Sequence, residues 1–68
     1  MIRIGIDVGG TFTDLVAVDE SGRSILAKAA STPSDPSIGV LDGLARLAEL
    51  MDTDLAGLFA KTDRIVHG

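Results

Sequence analysis

The stretch "DVGGTFTD", Asp7 to Asp14, holds the residues of this chain best suited to chemistry. A carboxylate closes an apolar run, two glycines come next, and two threonines flank a phenylalanine. Successive glycines let backbone N–H groups converge on an anion, and the missing Cβ atoms let a phosphate approach the main chain. Thr11 and Thr13 can add hydroxyl donors. Asp7 would repel a bare polyphosphate. It fits if Mg²⁺ lies between them, because Mg²⁺ takes one or two carboxylates together with water and substrate phosphates. Asp7 would then position the metal, through a water, or orient the attacking nucleophile. A plain hairpin fits the same residues: Asp-x-Gly-Gly is ordinary turn chemistry and Thr-Phe-Thr is ordinary strand composition. The pattern alone leaves both readings open.

Two familiar phosphate loops are excluded by the residues after the glycines. A P-loop continues Gly-Lys-Ser/Thr, and Gly10 is followed directly by Thr11 rather than by a lysine. A Rossmann fingerprint spaces three glycines and opens a helix, whereas "TFTDLVAVD" has the composition of a strand. The loop therefore belongs between two antiparallel strands.

The elements that would position it can be read from periodicity. "MIRIGIDV" alternates, with Ile2, Ile4, Ile6 and Val8 on one face and Arg3, Gly5 and Asp7 on the other. The second strand, apolar from Leu15 to Val18, is expected to be buried on both faces. "ESGRS" supplies a turn at Gly22, and "RSILAKAA" returns as a third strand whose Lys28 suits a sheet edge. Asp35 is a natural N-cap, with Pro36 in the first helical position. Val40, Leu44, Leu47, Ala48 and Met51 then form an apolar stripe, widened by Ile38, Leu41 and Ala45. Gly39 and Gly43 would let this helix pack closely on the sheet. Asp42 and Arg46 make an i, i+4 pair on the opposite, solvated face. "TDLAGLFA" is expected as a short helix capped by Thr53, and "DRIVHG" as a fourth strand parallel to the first. The fold class is α/β: a β-β-β-α-(α)-β order with a mixed sheet and the helix on one face.

Composition narrows the function. With 68 residues and no cysteine, the chain holds at most one domain and can form no disulfide or thiolate metal site. A chain of this length buries only about 60% of its unfolded surface, so its stability alone would be marginal. The strand-like "RIVHG" runs into the terminus, as expected of a fragment of a larger, incomplete domain spanning residues 1–68. Net charge is −4, the six basic residues form no stripe, and two aromatics offer little for base stacking, which argues against nucleic acid as a partner. No apolar run approaches the roughly 20 residues of a membrane span, and no signal peptide is visible, so a cytoplasmic setting is the default expectation. Asp14 reads as a solvated strand carboxylate, and His67, a lone histidine, as a packing or hydrogen-bonding residue rather than a ligand.

Taken whole, "IGIDVGGTFTDLV" resembles the first phosphate-binding segment of the actin, sugar-kinase and heat-shock-chaperone superfamily, whose ribonuclease H-like domains begin with such a hairpin. Within it, "RIGIDVGGTFTDLVAVDESG", "KAASTPSDPSIGVLDGLARL" and "DRIVHG" resemble the hydantoinase A/5-oxoprolinase family. That resemblance implies an ATP- and Mg²⁺-dependent enzyme that opens cyclic amides such as hydantoins or oxoproline through a phosphorylated intermediate. It equally admits a subunit of an ATP-dependent acetone- or acetophenone-type carboxylase. By carry-over, Asp7 serves the metal or catalysis, while Gly9, Gly10, Thr11 and Thr13 cradle the phosphates. Sugar kinases and kinase-derived repressors commonly place a lysine where Phe12 stands. The superfamily binds nucleotide between two domains, so the remainder of a parent chain or a companion subunit is expected to complete the site. These 68 residues alone are expected to be inactive. A non-catalytic scaffold hairpin is the remaining alternative.

Overall fold

The computed structural model describes residues 1–68 throughout. Ile2–Val8 forms β1, Phe12–Val18 β2 and Ser24–Ala30 β3; Pro36–Leu50 forms α1, Leu55–Lys61 α2 and Thr62–His67 β4. One sheet results, in the order β3-β2-β1-β4. The first three strands pair antiparallel, and β4 runs parallel to β1. The expected element order, mixed sheet and edge position of Lys28 are all present. No helix is long and apolar enough to cross a membrane.

Period-two alternation decides which side of the sheet is dry. Ile2, Ile4 and Ile6 of β1 are buried, and so are Leu15 and Ala17 of β2 and Ala27 of β3. The register sets Ile6 beside Leu15 and Leu15 beside Ala27, so one row of aliphatic groups crosses three strands. Leu44, Leu47 and Ala48 of α1 close over that row, and Leu58 of α2 completes the core.

The opposite face differs from the sequence expectation. In β2 only Thr13, Leu15 and Ala17 are buried; Val16 and Val18 are half-buried. The helices lie on one side of the sheet, so nothing in these residues covers the other. Leu26 is consequently 72% exposed and Val66 57%.

At the start of α1 the Asp35 carboxylate accepts hydrogen bonds from the Ser37 amide at 3.2 Å and the Ser37 hydroxyl at 2.6 Å. Pro36 occupies the first turn, where its missing N–H costs nothing. Thr32 adds a second tie: its hydroxyl donates to the Asp35 carbonyl at 2.6 Å and accepts from the Gly39 amide at 2.8 Å. The buried stripe is narrower than periodicity implied. Val40 and Met51 are half-buried, while Ile38, Leu41 and Ala45 are exposed, because α1 meets a sheet on one side only. Arg46 pairs with Glu49 at 3.1 Å instead of with Asp42, a choice between two exposed carboxylates within reach of one flexible side chain. Asp54 rather than Thr53 caps α2, accepting from the Gly57 amide at 2.8 Å.

Gly43 shows why α1 can sit so low. A Cβ there would stand 2.2 Å from Leu15 Cδ1 and 3.2 Å from its Cδ2. Leu15 is buried between strands and helix, so it has little room to yield.

At the far end of the sheet, Asp19 organises the β2–β3 turn. Its Oδ1 accepts from the Ser21 hydroxyl at 2.7 Å and from the Ser21 and Arg23 amides at 2.9 and 3.0 Å. Gly22, at φ 90°, supplies the left-handed residue that such a turn needs. The Ser21 hydroxyl bond foremost, helped by the two amides, holds the Asp19 carboxyl below its ordinary value. Glu20 is likewise lowered, by its hydrogen bond to the Met1 ammonium.

This packing can be tested at both ends of the sheet. Gly43→Ala should destabilise the intact protein by about 1–3 kcal/mol in denaturant titration, since overpacking exceeds the roughly 1 kcal/mol gained in helix propensity. Asp19 should titrate below 3.8 in an NMR pH series. A depressed aspartate stabilises the turn fully above its unfolded value and loses that contribution as pH falls through the lowered one. A midpoint at or above 3.8 would contradict the hydrogen-bond assignment.

Candidate functional site

The glycine loop spans the top of the β1–β2 hairpin. The Gly9 amide donates to the Phe12 carbonyl at 3.0 Å, which closes the hairpin around Gly10 and Thr11. Neither Gly10 nor Thr11 donates its own amide to any acceptor within the protein. Two successive backbone donors are thus left over at an exposed turn. Buried amides are almost always paired, and exposed ones are free to bind solvent or an anion.

The two glycines serve different ends. A Cβ on Gly9 would meet the Phe12 carbonyl oxygen at 2.8 Å, so the close hairpin itself demands glycine there. Gly10 has nothing within 4 Å of the same imagined atom. Its backbone is not in the left-handed region either, since Gly22 is the only glycine with a positive φ. Folding does not require glycine at position 10. A ligand approaching the main chain would.

The carboxylates lie on the open face. Asp7 stands opposite Asp14 across β1 and β2, and Asp14 stands opposite Lys28 across β2 and β3. Like charges in direct register are unfavourable. Lys28 relieves half of the problem: its Nζ lies 3.7 Å from Asp14 Oδ1 and 5.1 Å from the centre of the Phe12 ring. The Asp7 carboxylate has no cation partner and accepts no hydrogen bond. It stands near the end of β1, two residues before Gly9, exposed and uncompensated. Asp7 and Asp14 border a broad, shallow depression of about 390 Å³ that continues over Gly5, Val16, Leu26 and Val66. No cluster of three or more histidine, cysteine or acidic side chains is assembled.

Thr11 and Thr13 part company. Thr11 is exposed in the loop. Thr13 is 1% exposed, and its hydroxyl lies 3.0 Å from that of Ser31. The Ser31 hydroxyl donates to the Gly9 carbonyl at 2.7 Å, and the Ser31 amide donates to the Thr11 carbonyl at 2.8 Å. Ser31 did not stand out in the sequence, where it is the first residue of a polar break. Strand pairing could have found it, since the β2–β3 register carries residue 31 to the loop. A concavity of about 80 Å³ lies on this side, between Gly9 and Gly10 and the Ser31–Pro36 segment.

The family model of the hydantoinase/oxoprolinase N-terminal region matches residues 3–68. The chain belongs to that family. Within the hydantoinase/oxoprolinase family it is 41% identical over 66 residues to caprolactamase subunit alpha of Pseudomonas jessenii, covering 97% of this chain and 10% of that protein. It is 41% identical over 59 residues to the acetone carboxylase beta subunit of Xanthobacter autotrophicus, covering 81% of this chain and 8% of that one. The acetophenone carboxylase gamma subunit of Aromatoleum aromaticum is 40% identical over 62 residues, covering 91% and 8%. A nucleotide-free acetone carboxylase structure, from work on ATP-dependent acetone carboxylation, superposes with a TM-score of 0.89 at 29% identity, covering 98% of this chain and 10% of that one. The chain spans about a tenth of the length of these relatives, which are named as enzyme subunits. Hydantoinase/oxoprolinase membership and the α/β start with a mixed sheet are as the sequence implied.

The contrast between the glycines is testable. Gly9→Ala should cost about 1–3 kcal/mol in chemical denaturation of the intact protein, because a backbone atom must move. Gly10→Ala should be neutral or stabilising by up to about 1 kcal/mol, through reduced entropy of the unfolded chain.

Proposed function

We propose that this chain is the N-terminal phosphate-binding portion of an ATP-dependent hydrolase that opens cyclic amides. The observation that carries the reading is Gly10. Two unpaired amides and an open approach that glycine alone preserves sit beside a carboxylate with no cation. Amide donors and an approachable backbone suit the phosphates of a nucleotide. Hard oxygen at Asp7 suits Mg²⁺, which would fill its remaining positions with water and phosphate oxygen. When bound, Mg²⁺ supplies charge neutralisation on the transferring phosphoryl group.

In this scheme the Gly10 and Thr11 amides, with the Thr11 hydroxyl, hold phosphate oxygens. Asp7 fixes the cation or orients the nucleophile. The Thr13 hydroxyl acts from beneath the loop. Transfer of the γ-phosphoryl group to the amide oxygen forms one P–O bond as the bond to the β-phosphate breaks, releasing ADP. The phosphorylated amide is then a carbon electrophile. Water adds to it, the ring C–N bond breaks to leave an amine and an acyl phosphate, and a second water releases inorganic phosphate. Similarity to a caprolactamase subunit over nearly the whole chain supports a cyclic amide as substrate. The likeness to acetone carboxylase supports a second reading, a subunit of an ATP-dependent ketone carboxylase, which would use the same loop for phosphoryl transfer. In either case the rest of the parent chain or a companion subunit supplies the other wall of the site.

The test is calorimetry and ADP release on the intact protein. Mg-ATP should bind, and Asp7→Ala should cut turnover by roughly a hundredfold or more, the scale seen when one electrostatic contact to a transition state is lost. Hydantoin, oxoproline or caprolactam should stimulate ADP release if the hydrolase reading holds. Stimulation only by a ketone with bicarbonate would select the carboxylase instead. Normal Mg-ATP turnover by Asp7→Ala would leave the hairpin as scaffold.

A further inference from the structure

We propose that Ser31 is the positioning residue of the glycine loop, setting the direction in which the Gly10 amide points. The inference rests on the loop's being a phosphate site. Ser31 makes three contacts with the hairpin. Its amide binds the Thr11 carbonyl at 2.8 Å, its hydroxyl binds the Gly9 carbonyl at 2.7 Å, and the Thr13 hydroxyl lies 3.0 Å away. A serine hydroxyl has one hydrogen. Ser31 gives its hydrogen to Gly9, so the Thr13 hydroxyl must donate to Ser31, and the three groups form a relay with one direction.

Peptide geometry turns this grip into aim. No peptide bond in the chain is cis, and in a trans peptide the C=O of one residue and the N–H of the next point in opposite directions within one plane. Holding the Gly9 carbonyl toward Ser31 therefore turns the Gly10 N–H away from it, out of the hairpin. Gly9 donates its own amide to Phe12, but its carbonyl receives no amide from across the turn. The Ser31 hydroxyl takes the place of the missing cross-turn bond. Glycine at both positions leaves the plane free to rotate, so this external contact decides its orientation. Thr13 backs the contact from a fully buried position, where an unpaired hydroxyl would be costly. Ser31 itself touches no ligand in this scheme. It acts through Gly9 and Thr11.

Ser31→Ala and Ser31→Thr in the intact protein separate this role from simple structural support. ATP and adenosine affinities are measured by calorimetry, with Mg²⁺ present. Ser31→Ala should weaken ATP roughly tenfold, the scale of a hydrogen bond to a charged group, and leave adenosine within about twofold. Ser31→Thr keeps the hydroxyl and should restore ATP binding to within about threefold. Unchanged ATP affinity in Ser31→Ala would overturn the inference while leaving the phosphate-loop reading intact. Parallel loss of ATP and adenosine would also overturn it, as a general structural effect, and so would failure of Ser31→Thr to rescue. Failure of the unsubstituted protein to bind ATP would remove the phosphate-loop reading and this inference with it.

Discussion

The register between β1 and β2 is the constraint on which the rest depends. Pairing Ile6 with Leu15 and Val8 with Thr13 turns one set of side chains into the core and leaves Asp7 opposite Asp14 on the other side. A slip of one residue would exchange the faces, sending carboxylates under α1 and isoleucines into water. Burial of Ile4, Ile6, Leu15 and Ala17 therefore fixes the position of the two carboxylates as firmly as it fixes the fold. The glycine loop inherits its place from this pairing, since Gly9 and Phe12 are the next rung beyond Val8 and Thr13.

Charge on the open face is organised by the same rungs. Asp7, Asp14 and Lys28 form a row across three strands, with acid, acid and base in order. Lys28 sits nearer to Asp14 and over the Phe12 ring, so the negative potential remaining is concentrated at Asp7. An exposed pair such as Lys28–Asp14 adds little stability. Its importance lies in which carboxylate it leaves uncompensated.

Much of this arrangement was legible in the sequence because local rules and tertiary demands agree there. Strict alternation in β1, Asp35 before Pro36 and the Gly22 turn each specify one local conformation, and each is found. The misreadings come where several solutions have similar energies. A continuous apolar run did not reveal that β2 has only one covered face. Thr53 and Asp54 are adjacent and both good caps, and Arg46 had acidic neighbours on either side. The glycine loop was half legible. Composition marked Gly9, Gly10 and Asp7, but the distinct tasks of the two glycines and the inward turn of Thr13 depend on neighbouring strands. Ser31 was invisible for the same reason: its partners lie eighteen to twenty-two residues away.

The short segment between β3 and α1 links two kinds of accuracy. Ser31 grips the loop, and the next residue, Thr32, ties into the first turn of the helix. The loop and the first turn of α1 are thus tied to adjacent residues of one short segment. The depth of the α1 seat is set in turn by the absence of a side chain at Gly43 above Leu15. A change beneath the helix, at Gly43 or Leu15, would then be felt at a loop that neither residue touches.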